Sequence, residues 1–261
     1  MNLQAILYVA HGTRLQEGVD EAKDFVAYHM KQVDVPIQVM SFIDLASPSI
    51  DEGIETCVTQ GATRIAMVPI LLLEAGHAKN DLPEAIALAE EKYPHITFTY
   101  GSPYGVHEYM IETIVERLKE QGPLAKDASI LIVARGSSDN RIREDFAAIV
   151  HHLKKKVDVK QIDVCYLAAQ SPNLHEGIAT HIKNTAKTVY VVPYLLFTGL
   201  LMQHLEEVID RIQLRNKEFR LCRQLGRSES ITALTLQRIA EAIGKGGKQH
   251  DLSSTNDKLA T

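Results

Sequence analysis

Two histidines and an aspartate, His11, Asp44 and His77, stand at or just beyond the ends of three short apolar runs. Two imidazoles and one carboxylate suit a divalent transition metal, with coordination positions left open for exchange. A closed four-ligand site would hold the same ion too tightly to release it. A neutral imidazole also accepts a proton near neutral pH. Singly, each residue has a structural alternative. A histidine after a buried strand is commonly just hydrogen-bonded. Asp44 could cap the helix opening near residue 49, although Ser47 is better placed, and His77 could cap the helix from Ala78.

The chain supplies its own control, because it repeats. Ser47-Pro48, Glu52-Gly53-Ile54, Val68-Pro69 and Gly12 recur at Ser171-Pro172, Glu176-Gly177-Ile178, Val192-Pro193 and Gly136, each shifted by 124 positions. Gly101 aligns with Gly226 at a shift of 125, which reads as one inserted residue. Positions that serve the fold should match between halves, whereas positions that serve chemistry need not. His11, Asp44 and His77 face Arg135, Ala168 and Leu201, so the donor set belongs to the first half alone.

The elements that must position these residues follow from periodicity. In the first half, residues 5–10, 36–43, 64–72 and 97–100 read as strands, and 19–32, 49–60, 82–92 and 106–120 as helices. The continuous apolar runs suit parallel strands buried on both faces. Strand–helix alternation in both halves predicts two tandem Rossmann-like α/β domains, each with a mostly parallel four-stranded sheet. The expected boundaries are residues 1–123 and 124–243, joined near 122–127, with a disordered tail at 244–261. With strand order 2-1-3-4, the three donor-bearing strand ends become neighbours. They lie at the carboxyl edge, where open α/β sheets bind ligands.

Composition narrows the function. The chain is 45% hydrophobic and 23% charged with net charge −5, a soluble globular profile with no global pull toward nucleic acid or an anionic membrane. The N-terminus lacks signal-peptide features, no apolar run spans a bilayer, and a cytoplasmic location is expected. Cys57, Cys165 and Cys222 are far apart and form no Cys-x-x-Cys pair, so they read as buried thiols and not as zinc or iron–sulfur ligands. His29, His95 and His107 read as surface histidines, and His151-His152 with Lys154–Lys156 as a solvated helix face. Arg14, Lys79 and Arg135 could clamp carboxylates at the strand-end crevice. Ser137 and Ser138 could donate hydrogen bonds, and residues 195–201 could line a cleft or fill the core.

The segments Tyr8-Val9-Ala10-His11-Gly12-Thr13-Arg14, Ser41-Phe42-Ile43-Asp44-Leu45 and Val68-Pro69-Ile70-Leu71-Leu72-Leu73-Glu74-Ala75-Gly76-His77-Ala78 resemble the class II chelatases of modified tetrapyrroles. The likeness covers residues 4–243 and is to the long two-domain form. It implies ATP-independent insertion of Fe²⁺ into sirohydrochlorin, giving siroheme and two protons, with cobalt insertion as the related activity. It implies no cofactor beyond the substrate metal, and sirohydrochlorin and a divalent ion as partners of a monomer or weak homo-oligomer. The family's metal-site histidines match His11 and His77. Its acidic residue is usually Glu, where this chain has the shorter Asp44, so a water-bridged role is open to it.

Two other readings compete. His11-Gly12-Thr13-Arg14 is similar to the Arg-His-Gly-x-Arg motif of histidine phosphatases, but Ala10 stands where the phosphate-binding arginine is needed. A non-catalytic carrier of metal or tetrapyrrole would use the same groups as a chelatase.

Overall fold

The structure, a computed structural model, describes residues 3–74, 81–212 and 216–244. The first half runs β1 (Gln4–Ala10), α1 (Gln16–Met30), β2 (Ile37–Phe42), α2 (Ile50–Thr59), β3 (Arg64–Ile70), α3 (Asp81–Lys92), β4 (Thr97–Tyr100) and α4 (Glu108–Lys119). The second half repeats the order as β5 (Ser129–Ala134), α5 (Arg141–Lys154), β6 (Gln161–Tyr166), α6 (Leu174–Lys183), β7 (Thr188–Tyr194), α7 (Leu200–Asp210), β8 (Glu218–Leu221) and α8 (Glu229–Ala242). Every pairing is parallel, in the orders β2-β1-β3-β4 and β6-β5-β7-β8. The expected architecture and strand order are therefore present. All but the first residue of β1 and of β3 is buried, as central parallel strands require.

The repeated Glu-Gly-Ile block has a structural cause. Glu52 and Glu176 each close a capping box, with Ser49 and Asn173 as the N-caps of α2 and α6. Ser49, not Ser47, is thus the cap, because its side chain reaches the Glu52 N–H at 3.3 Å. A Cβ at Gly53 would lie 2.7 Å from Leu7 Cδ1, and one at Gly177 would lie 2.6 Å from Cys165 Cβ. Only glycine lets these helices approach their sheets so closely.

The late register shift also needs correction. Gly101 N bonds Met67 O and Cys222 N bonds Val191 O, both in the chain following the fourth strand. Gly101 therefore corresponds to Cys222, and Gly226 to Gly105, a shift of 121 that means three residues lost and not one gained. Arg117 and Arg238 then become equivalent. Both are fully buried, and each pairs with the glutamate three residues on, Glu120 and Glu241.

The compact units do not follow the repeat boundary near residues 122–127. Among the described residues, one unit takes everything up to Gly105 together with the stretch from Ile231 onward, and the other takes Val106–Ser230. The closing helices are exchanged. In the first unit, α8 is held by Thr99 Oγ1 donating to Ala242 O (2.6 Å), Tyr104 Oη to Thr235 Oγ1 (2.9 Å), and Arg238 Nη2 donating to Tyr104 O (2.9 Å). In the second, Arg223 grips Glu120 of α4 with two bonds of 2.9 Å, and Lys156 pairs with Glu108 and Glu112.

Two histidines expected at the surface are buried instead. His29 is wholly buried, with Nδ1 2.7 Å from Phe25 O, and His107 is the buried N-cap of α4. The spacing Ala22, Phe25, Val26, His29 already placed His29 on the apolar stripe of its helix. His95 is exposed, His151 is exposed and His152 is half-buried, so these remain close to the expectation. Of residues 195–201, Leu196 is buried and Leu200 exposed. The tail lies outside the described residues except for Gly244.

Candidate metal and tetrapyrrole site

β1, β2 and β3 end at one level, with Ala10 in register with both Phe42 and Ile70. Beyond them the ladder continues for two residues. Ile43 N donates to Ala10 O (2.9 Å) and Asp44 N to His11 O (3.1 Å). The two candidate ligands are thereby joined through their backbones. Gly12 makes the junction possible, since its φ is +89° and a Cβ there would lie 1.9 Å from Asp44 O.

His11 is half-buried and its Nδ1 lies 3.2 Å from Gly12 O. With Nδ1–H donating to that carbonyl, Nε2 is the unprotonated nitrogen of the neutral imidazole. Asp44 is exposed, and its Oδ1 accepts the Leu45 N–H at 2.7 Å. Leu45 sits at φ 63°, in the left-handed region that costs a residue with a Cβ roughly 1–2 kcal/mol.

The second half builds the same turn without the donors. Leu167 N bonds Ala134 O, Ala168 N bonds Arg135 O, Gly136 has φ +87°, and a Cβ on it would lie 1.9 Å from Ala168 O. Ala169 takes φ 57° with no carboxylate beside it. The Asp44–Leu45 bond is consequently not what makes the turn, and neither imidazole nor carboxylate is needed for the fold here.

The remaining candidates divide. His77 and Lys79 lie outside the described residues, seven and nine positions beyond the end of β3. Arg14 is exposed in the His11 loop, and Arg135 and Ser138 are exposed in the sister loop. Ser137 is half-buried; its Oγ accepts the Asp139 N–H (3.1 Å) and its carbonyl accepts Gln170 Nε2 (2.7 Å). Gln170 in turn accepts from Arg143 Nε at 2.7 Å, while Arg143 Nη2 donates to Ser171 O. This network fixes the two loops of the second turn, and the sequence comparison passed over it; Val19 and Ala46 at the sister positions were the available signal. Glu74, beyond β3, was also given no role; burial, with the charge of Glu74 adding to it, pushes the Tyr100 phenol up to about 12. Among the described residues no three His, Cys, Asp or Glu side chains converge on one point. Cys57, Cys165 and Cys222 are all buried, and burial raises each thiol to about 12, in keeping with cysteines packed as small hydrophobes.

The chain matches the CbiX family over residues 5–121 and again over 129–242. It is 42% identical to the sirohydrochlorin ferrochelatase of Priestia megaterium, across 96% of this chain and 94% of that protein. It is 35% identical to the sirohydrochlorin cobaltochelatase of the same organism, across 92% and 80%. Among solved structures, SirB from Bacillus subtilis with Fe³⁺ superposes with a TM-score of 0.85 at 37% identity, covering 93% of this chain and 96% of that one.

Proposed function

The chain belongs to the CbiX family, and on that premise we propose that it is a sirohydrochlorin ferrochelatase, inserting Fe²⁺ with release of the two pyrrole N–H protons and no ATP. The observation that carries this reading is the full-length 42% identity to a ferrochelatase. The joined His11–Asp44 turn, set in a fold that builds its twin without either side chain, supports it from the geometry.

In this reading Fe²⁺ is a substrate delivered by the protein. His11 Nε2 binds the ion or accepts a pyrrole proton, and His77 serves as partner ligand and second base. Asp44 adds negative charge beside the incoming cation, its Oδ1 accepting the Leu45 N–H. Arg14, Lys79 and Arg135 offer fixed or flexible cations to the substrate carboxylates, with hydrogen bonds from Ser137 and Ser138. No described helix is long and apolar enough to cross a membrane. The proposal includes a cytoplasmic location and a monomeric or weakly associating enzyme.

The decisive experiment is an anaerobic assay of sirohydrochlorin with Fe²⁺ or Co²⁺, followed by visible absorption. Many turnovers per protein are expected with Fe²⁺, whereas a single stoichiometric event would identify a carrier. The likeness to a cobaltochelatase keeps Co²⁺ as the second reading, favoured if its kcat/KM exceeds that for Fe²⁺. His11→Ala should abolish insertion with the thermal transition unchanged; full activity in that variant would overturn the mechanism.

A further inference from the structure

Leu45 departs from local preference in its backbone. It holds φ 63°, where glycine or asparagine is the favoured residue, and its side chain is 43% exposed beside the candidate ligands. Its conformation is dictated from outside, by the contact of Gly12 with the Asp44 carbonyl and by the 3.1 Å bond from Asp44 N to His11 O. Nothing in the turn asks for an isobutyl group. The sister position, Ala169, has the same left-handed backbone and no side chain beyond Cβ. Ile43, two residues earlier, packs on the core, so the core does not claim Leu45 as well. Local conflicts that a fold does not need mark functional positions.

We propose that Leu45 is a substrate-contacting residue, its exposed isobutyl group packing against the apolar face of the tetrapyrrole whose centre is served by His11 and Asp44. The residue follows Asp44 directly and its N–H is bound by the Asp44 carboxylate at 2.7 Å, so the apolar contact and the charged group move as one unit. A flat macrocycle centred over the metal donors must pass over their immediate neighbours. An apolar side chain there gains contact area only when the ring is present. The proposal rests on the chelatase reading and adds to it the residue that sets affinity for the ring.

The test compares Leu45→Gly, Leu45→Asn and Leu45→Met in the full-length protein. Three readouts are needed: thermal stability, binding of metal-free sirohydrochlorin by absorption titration, and steady-state insertion. Glycine and asparagine suit the left-handed backbone, so both variants should melt at or above the wild-type temperature. Both should nonetheless raise Kd and KM roughly five- to tenfold, with the loss falling on KM more than on kcat. Leu45→Met should restore most of the affinity. Kd and KM within twofold of wild type for both polar-tolerant variants would overturn the assignment. Because binding is measured without turnover, wild-type protein that binds the tetrapyrrole but never inserts metal would sink the chelatase reading and leave the Leu45 test standing. Wild-type protein that does not bind it would sink both.

Discussion

A methyl group at residue 12 would meet the Asp44 carbonyl oxygen at 1.9 Å, on a backbone already at φ +89°. The obstacle is main chain and cannot swing aside. Gly12→Ala should therefore cost at least about 2 kcal/mol and separate His11 from Asp44, removing insertion activity. Asp44→Ala is a different experiment. The twin turn forms with Ala168 in that place, so only the exposed bond to Leu45 N is lost, worth roughly 0.5–1.5 kcal/mol. Its insertion rate should fall, but less than in His11→Ala. Melting curves and the insertion assay check both. Equal destabilisation by Gly12→Ala and Asp44→Ala would mean that the carboxylate builds the turn after all, and loss of activity as severe as in His11→Ala would assign Asp44 an indispensable charge. The pairing of His11 with Asp44 was legible in sequence because each closes a strand. The left-handed Leu45 was not, since leucine is among the last residues that local propensity would put there.

Secondary-structure elements were readable to within a few residues wherever apolar period decided them, as at β4, where the expected and observed spans coincide. What packs against an element was less readable. The amino end of the second sheet shows why. There His181, wholly buried at the end of α6, lies with Nδ1 2.9 Å from Ser129 Oγ and Nε2 3.0 Å from Asp163 Oδ2. The second contact is short but poorly aligned for a hydrogen bond. Asn184 and Gln161 complete the cluster, where the first half has Ala5, Val39, Cys57, Gln60 and Ile37. His181, then Gln161 and the charge of Lys154, hold the Asp163 carboxyl below the usual carboxylate range against the opposing effect of burial. A carboxyl depressed on folding adds stability above its unfolded pKa of about 3.9, and that stability is lost as pH falls through the lower folded value. Wild type should then exceed Asp163→Asn in urea stability at about pH 5, with the gap closing toward about pH 2.5. A gap that stays constant over that range would show that the pair contributes packing and not charge.

At the scale of the molecule, the feature sequence could not disclose is which sheet each closing helix serves. The apolar stripe of α4, Met110, Ile111, Ile114 and Leu118, states that one face is buried but not what covers it. Because the two halves are repeats, either sheet offers a similar surface, and the buried Arg117 and Arg238 with their glutamates are interchangeable signals. Only the contacts decide, and they assign α8 to the unit that contains β1–β4. This gives a result opposite to the one the linear repeat implies. Ending the chain after Ser230 removes the last helix of the second repeat, yet it strips the cover from the first sheet, where Gly101 would bring a Cβ within 3.1 Å of Ala242. Native-state hydrogen exchange on that truncated protein should show the greatest loss of protection in β1, β3 and β4, with β5 and β7 less affected. The Tyr104 hydroxyl and carbonyl lose Thr235 and Arg238 as partners, which adds to the first unit's loss. Deprotection centred on β5–β8 instead would mean that α8 closes its own repeat, and the exchange of helices would have to be abandoned.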